Sequence, residues 1–437
     1  MHNCLVGSEM CIRDRYLRNC KRAGQIKIDS IQYICDCRSK MTEKRSKQEP
    51  SDRREYWVLT QSGLRSLLLE ELQELGIEVT GRLGQGVRFE GSDEDLALVL
   101  TRSRLCSRVF LPIRSWKVAD PSHLYFKTKK IHWPNFFGGK KPDFAIFSQA
   151  QGHCPFALTL ATLKVKDAIC DAYRRYKLPR PDVNRQNPEC RLHLFFDSSK
   201  FNLLVSLTRE PLYRRLGLVD GALAPLKESR AAALIRLCQK HSHIETPQKV
   251  IDPFCGSGTI LLEFIQSLHP HGGHDWEFGR EEWRDSISVF EDKSRILSAI
   301  QKRLEAEDEF ARNIELAFEG WDQSNNMIKR AVKRAGKKKL KGVEWINKSA
   351  LEIDDYPENS WVLGNPPYGA RMGDMTETAH RLDKIYNGLK ESGKKVTIAW
   401  VLTEELFQAM DCHSEVVARL DFPQGKIPSL LAVFNLG

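Results

Sequence analysis

Two short stretches combine residue types suited to chemistry on a planar, amine-bearing group. Asn365-Pro366-Pro367-Tyr368 joins an amide, two rigid imino acids and an aromatic ring, directly after the apolar run Trp361-Val362-Leu363. It reads as a loop at the carboxyl end of a buried strand, the edge of an open α/β sheet where ligands bind. The prolines fix φ and hold neighbouring carbonyls in place, while the Asn offers a carbonyl acceptor and the Tyr a flat apolar face. Taken alone, the same residues equally fit a Pro-rich turn that ends a strand. The second stretch, Val250-Ile251-Asp252-Pro253-Phe254-Cys255-Gly256-Ser257-Gly258-Thr259, runs from a strand through a glycine-bearing turn into a helix over Ile260 to Leu268. Glycines let the backbone approach a ligand closely, and the free amides of a helix N-terminus favour a negative group.

The elements that must position these stretches can be read from the pattern around them. A second strand should end in an acid that accepts ribose hydroxyls. Glu291-Asp292 lies within helical apolar spacing from Ile287 to Leu304, whereas Ile314 to Phe318 alternates as a strand does, which selects Asp322. The distance from Asp252 to Asp322 is long for one crossover and requires an insertion, placed over His269 to Asp285. A helix from Asn325 to Ala335 and its loop then carry eight Lys/Arg between Lys329 and Lys341 with no acid, a solvated face or a second phosphate-binding patch. Strands over Val343 to Asn347, Ser360 to Leu363 and Lys395 to Thr403, with a hairpin of Val416 to Leu420 and Leu430 to Asn435, complete a seven-stranded Rossmann-like sheet. The G-x-G-x-x-G of dinucleotide enzymes and the G-K-[ST] of P-loop ATPases are both absent, so hydride transfer and nucleotide hydrolysis recede.

Upstream, Tyr56 to Thr60, a Leu-rich helix stopped by Gly76, a strand pair around Glu78 to Phe89 and a helix from Asp93 to Arg104 give the β-α-β-β-α order of a ferredoxin-like α+β unit. Next come a strand at Phe144 to Phe147, a helix from Leu158 to Tyr173 with Leu160, Leu163, Ala168, Ile169 and Ala172 on its inner side, and strands at Arg191 to Phe196 and Asn202 to Leu207. Lys164, Lys166, Arg174, Arg175, Arg180 and Arg185, joined by Arg209, Arg214 and Arg215, are read as a surface that meets phosphates, with Tyr173, Tyr176 and Tyr213 among them as packing or base-stacking rings. The net charge of +10 over 437 residues agrees with a polyanionic partner. Twelve cysteines without a C-x-x-C pair read as reduced thiols, with Cys106, Cys170 and Cys238 in the core and Cys255 inside a candidate site. No apolar run approaches the length of a membrane span and no signal-peptide core is present, which places the protein in the cytoplasm. Residues 1–54 are set apart from the domains: 1–40 read as an assembly or gene-model artefact with Met41 as the natural start, or the segment as a disordered basic tail.

Several motifs in one order carry a family likeness: Gln61-Ser62-Gly63-Leu64, Gly84 to Phe89, Ser103 to Arg108, Lys164 to Ile169, Leu178-Pro179-Arg180-Pro181, Ala224 to Glu228, Asp252 to Thr259 and Asn365 to Gly369. From about Tyr56 onward the chain resembles the bacterial large-subunit ribosomal RNA guanine-N2 methyltransferases. The resemblance implies a ferredoxin-like unit at 55–115, a THUMP RNA-binding domain at 116–217 and a class I methyltransferase domain at 218–437, α/β throughout the catalytic half. It implies S-adenosylmethionine as cofactor, held by Asp252, Phe254, Gly256, Gly258, Thr259 and Asp322. Where relatives place an Asp for the adenine amine, this chain offers Ser349, with Asp354 as the alternative. The expected product is N2-methylguanosine in 23S RNA, naked or in an assembly intermediate. Asn365 and Pro366 would accept the amine hydrogens, Pro367 would stiffen the loop and Tyr368 would stack on the purine, with no metal and no membrane partner. Some relatives are fused to a second methyltransferase, for which this chain stops too early. A tRNA guanine-N2 methyltransferase and a non-catalytic assembly factor are the rival readings. DNA adenine-N6 and release-factor glutamine methyltransferases share the N-P-P-Y loop and are disfavoured by the RNA-binding half.

Overall fold

The computed structural model describes residues 53–137, 141–216, 226–268, 298–299, 316–338, 340–352, 356–367 and 375–437. Tyr368, Asp354, the insertion over 269–285, nearly all of the helix expected over 287–304 and the N-terminal segment to residue 52 lie outside the described residues. The N-terminal half is built on one sheet. Strand β1 (Arg54–Leu59) leads into helix α1 (Arg65–Glu74), which buries Leu67, Leu68 and Leu72 and stops where Gly76 takes φ +72°. Strands β2 (Val79–Leu83) and β3 (Gly86–Gly91) pair antiparallel, and α2 (Asp93–Arg102) starts at Ser92 with a reciprocal capping box to Asp95. That helix ends two residues earlier than its sequence suggests, because Ser103 is extended and its hydroxyl donates to Glu71.

Strand β4 (Arg108–Trp116), which sequence reading left unassigned, joins the two N-terminal units. It pairs antiparallel with β1 on one side and with β7 (Phe201–Ser206) on the other, with a register shift beside Pro112. A proline is tolerated there because a bulge frees its position from the ladder. After β4 come α3 (Pro121–Lys129), capped by Asp120, the short α4 (Trp133–Phe136), β5 (Phe144–Gln151), α5 (Leu158–Arg175) and β6 (Cys190–Asp197). The sheet order is β2-β3-β1-β4-β7-β6-β5.

Helix α5 corrects one expectation. Ala161, Val165, Ala168, Ile169 and Ala172 form its buried stripe, whereas Leu160 and Leu163, expected inside, are 39% and 48% exposed. The stripe recurs at i, i+4, i+7, i+8 and i+11, and both leucines fall outside that arc.

The C-terminal half opens with α6 (Glu228–His241), then alternates β8 (Lys249–Asp252), α7 (Thr259–Leu268), β9 (Ala317–Asp322), α8 (Asn325–Lys337), β10 (Val343–Asn347), β11 (Ser360–Gly364), α9 (Met375–Glu391), β12 (Val396–Thr403), α10 (Glu404–Ala409) and the hairpin β13 (Ala418–Gln424) and β14 (Ile427–Leu436). The strand order is β10-β9-β8-β11-β12-β14-β13, with β8 to β12 parallel and β14 antiparallel to both its neighbours. Helices cover both faces, so β12 is buried at every position and reads as a continuous apolar run. Strand β9 starts later than the alternation over Ile314 to Phe318 suggests, so Asp322 is itself its last residue. The order reverses between β8 and β11, which opens a crevice at the carboxyl ends of β8, β9 and β11. Among the described residues no helix is long and apolar enough to cross a membrane.

Candidate active site and nucleic-acid interface

The crevice is built from strand ends. Asp252 closes β8 with 1% exposure, and its carboxylate accepts the Phe254 amide at 3.1 Å. The turn is pinned to the next strand: the Cys255 amide donates to the Trp321 carbonyl at 2.9 Å, and the Gly256 amide donates to Asp322 Oδ2 at 3.0 Å. Asp322 Oδ1 accepts the Ser324 amide at 2.7 Å at the start of α8. Burial pushes the Asp252 carboxyl well above the ordinary range, with the Asp322 charge adding to it, and burial raises Asp322 too. Burial, then the same two carboxylates, also push up the Cys255 thiol, so it stays protonated and is no nucleophile.

Two glycines make the turn possible. Gly258 has φ +79°, and a Cβ on it would lie 2.5 Å from the Trp345 ring. Gly256 has φ +52°, and among the described residues a Cβ there would meet only the Phe254 carbonyl, at 4.0 Å, which leaves room there for a ligand. Two carboxylates with spare lone pairs, an open glycine cradle and the free amides of α7 fit a ligand carrying hydroxyls at one end and an amino acid at the other, as S-adenosylmethionine does. Thr259 is placed differently from the other cofactor candidates. Its hydroxyl is buried and accepts Arg334 Nη1 at 2.8 Å, so it is turned toward α8. Ser349 lies past β10, where its hydroxyl accepts Gln323 Nε2 and the Leu351 amide, both at 3.2 Å.

The second stretch meets the first at Gly364, the last residue of β11. A Cβ there would lie 3.0 Å from the Phe254 ring and 3.2 Å from Trp400, so a side chain there would press on the turn that packs beside Asn365. Pro366 is buried and Pro367 half-buried. The Asn365 Oδ1 atom is buried and has no hydrogen-bond partner among the described residues. Leaving a buried acceptor unpaired costs roughly 1–3 kcal/mol, which makes this oxygen a candidate acceptor for a ligand's donor.

The basic residues fall on a different part of the molecule. Lys164, Arg174 and Arg180 line a groove of about 440 Å³ between α3 and α5, with Tyr125 and Phe126 on its far wall. Asp171 in that groove accepts Tyr125 Oη at 2.8 Å and Arg174 at 3.0 Å, and Lys166 pairs with Asp167 at 2.8 Å. Such exposed pairs are worth ~0–1 kcal/mol and exchange readily for phosphate. Arg175 and Arg185 are exposed beyond it. Arg215 does not belong to this surface. It is 0% exposed and binds Glu263 through Nη2 at 2.5 Å and Nε at 2.8 Å, because a guanidinium enclosed by both halves must carry its counter-ion with it. Tyr173 is core, while Tyr176 is exposed against His132 at 4.2 Å between ring centres.

Sequence reading missed a second groove of about 640 Å³, where Arg114, Lys127, Lys130 and His132 surround Trp116 and Phe136. The run Lys127-Thr128-Lys129-Lys130 was the available signal. It also missed Arg334, hidden within the basic run after Asp322 although it shares the inner face of α8 with Ile328, Ala331 and Ala335.

Comparison with known proteins finds three domains in this order. Residues 55–110 match the RlmL ferredoxin-like domain, 118–206 the THUMP domain and 218–420 the RMKL-like methyltransferase domain. The chain is 29% identical over 326 residues to the ribosomal RNA large subunit methyltransferase K/L of Vibrio parahaemolyticus serotype O3:K6, covering 73% of this chain and 44% of that protein. It thus spans less than half the length of that relative. Among solved structures, a possible methylase from Clostridium difficile 630 superposes with TM-score 0.74 at 18% identity over 88% of this chain and 99% of the other. TrmN from Thermus thermophilus gives 0.61 at 19% identity over 88% and 99%. At these identities the structural likeness establishes the fold.

Proposed function

We propose that this chain, which belongs to the THUMP-bearing RMKL-like methyltransferases, methylates the exocyclic N2 of a guanine in large-subunit ribosomal RNA in the cytoplasm. The observation that carries the proposal is the buried Asn365 Oδ1, without a partner among the described residues, beside the turn after β8. S-adenosylmethionine, when bound, supplies an electrophilic methyl on its sulfonium. The chain's own residues do the rest. Asp322 and Asp252 accept hydroxyl and ammonium hydrogens at the strand ends, and the α7 amides receive the carboxylate. The guanine N2 lone pair is delocalised into the ring and is a weak nucleophile. The Asn365 Oδ1 atom and the Pro366 carbonyl accept its two hydrogens, which biases the nitrogen toward the geometry of attack. Tyr368 is the sequence's candidate for stacking on the purine. Catalysis is then mainly positioning, and the target base must be single-stranded or flipped to reach the crevice.

The basic residues Lys164, Lys166, Arg174, Arg175, Arg180 and Arg185 are assigned to the RNA backbone. The experiment that tests this reading incubates the protein with methyl-labelled S-adenosylmethionine and, separately, naked 23S RNA, tRNA and DNA, then identifies the labelled nucleoside. N2-methylguanosine in 23S RNA is the expected result. Label confined to tRNA would move the reading to a tRNA guanine methyltransferase, and label on adenine would overturn it.

A further inference from the structure

Among the described lysines and arginines of the basic run from Lys329 to Lys341, Arg334 is the one that is buried, at 7% exposure. It reaches three separate segments through four residues. Nη1 donates to Thr259 Oγ1 at 2.8 Å and lies 3.4 Å from Ser257 Oγ and 3.5 Å from the Ser257 carbonyl. Nη2 pairs with Glu228 at 3.2 Å, and Nε faces the Leu216 carbonyl at 3.4 Å. A buried guanidinium costs several kcal/mol of desolvation, and the neighbouring inward positions Ile328, Ala331 and Ala335 show that an apolar side chain would fill the space more simply. Arginine's rigid fork of five donors is suited to holding several acceptors at once, and lysine's single ammonium is not. Ser257 and Thr259 flank Gly258, the residue with φ +79° in the turn.

We infer that Arg334 is a positioning residue for cofactor binding: from behind the turn it clamps the residues on either side of Gly258 and so holds the Gly256 cradle and the first amides of α7 open to the ligand. The inference rests on the reading of this turn as the cofactor site. Glu228 neutralises the guanidinium, so the clamp acts through geometry more than through its net charge.

The test measures the affinity of the full chain for S-adenosylhomocysteine by calorimetry, alongside thermal melting and RNA binding. Arg334→Lys keeps the charge opposite Glu228 but cannot span the acceptors; affinity should fall about tenfold or more while RNA affinity stays at the wild-type value. Thr259→Val, which removes the clamped oxygen, should weaken binding similarly, and Thr259→Ser should restore it. The double variant Arg334→Lys/Thr259→Val should be no worse than either single one, because the two changes break the same contact. Wild-type affinity in Arg334→Lys with only a lower melting temperature would overturn the inference, as would additive losses. Should Arg334→Lys fail to fold, equal binding by Thr259→Val and Thr259→Ser would overturn it. A wild-type chain that binds no S-adenosylhomocysteine would instead overturn the cofactor-site reading beneath it.

Discussion

Asp252 and Asp322 sit where burial works against ionisation, so the free protein bears a cost at the place where it expects a ligand. A carboxyl whose folded pKa is raised gives its stabilising contribution in full below the unfolded value, about 3.9 for Asp, and loses it as pH rises through the folded value. Replacing Asp252 by Asn removes the charge that must be buried at neutral pH. Asp252→Asn should therefore melt higher than the wild type at pH 7, by about 2–4 °C for each ~1 kcal/mol gained, with the gap widening from pH 5 to pH 8. The same variant should bind S-adenosylhomocysteine more weakly, since the amide donates where the carboxylate accepted. A melting difference that shrinks with rising pH would show that Asp252 is ionised and well compensated in the free protein. Asn365 could be singled out at this scale because Pro366 and Pro367 fix its surroundings, whereas the inward turn of Thr259 could not be read because nothing local marks which way a hydroxyl turns.

At the scale of elements, the strands of the catalytic sheet could be read because parallel strands buried on both faces leave continuous apolar runs bounded by turn residues. Strand β4 escaped because Arg108-Val109-Phe110-Leu111-Pro112-Ile113-Arg114 shows no alternation and contains a proline, and its pairing with β7 is a long-range fact. The phase of α5 was misread for a related reason. Leucine outweighs alanine on any hydropathy scale, yet the close approach of α3 and the sheet selects Ala161, Ala168 and Ala172 for the inner face. The cofactor turn tests how local chemistry sets an element. Gly258→Ala would place a Cβ 2.5 Å from Trp345 at a backbone angle that L-residues rarely adopt. It should cost about 1–3 kcal/mol in stability, read from chemical denaturation, and abolish detectable cofactor binding. Retained binding would mean that the turn tolerates a second conformation.

At the scale of the whole molecule, two seven-stranded sheets divide the work and a buried cluster joins them. Glu263 on α7 pairs at once with Arg215 and with Arg104, which follows α2 in the ferredoxin-like unit, at 2.5 and 2.8 Å. Glu71 on α1 accepts the Arg104 amide at 2.8 Å. Helix α7 is thereby fixed to the N-terminal half, a connection invisible in the sequence because its partners are 159 and 48 residues from Glu263. If that half supplies phosphate contacts, the triple substitution of Lys164, Arg174 and Arg180 by Ala should weaken RNA binding and flatten its logarithmic salt dependence by about 2–3, at ~0.7–0.9 per phosphate contact, while turnover at saturating RNA is unchanged. An unchanged salt slope would move the RNA to another face.

The central claim is that Asn365 orients a guanine amine beside the bound methyl donor. It is tested most directly by single-turnover methyl transfer to naked 23S RNA, comparing wild type with Asn365→Ala at saturating cofactor and RNA, with S-adenosylhomocysteine affinity measured on both proteins. The account predicts N2-methylguanosine from the wild type, a rate loss of roughly 10²–10³-fold or more in the variant and equal cofactor affinity. A variant that methylates the same guanine at the wild-type rate would contradict it.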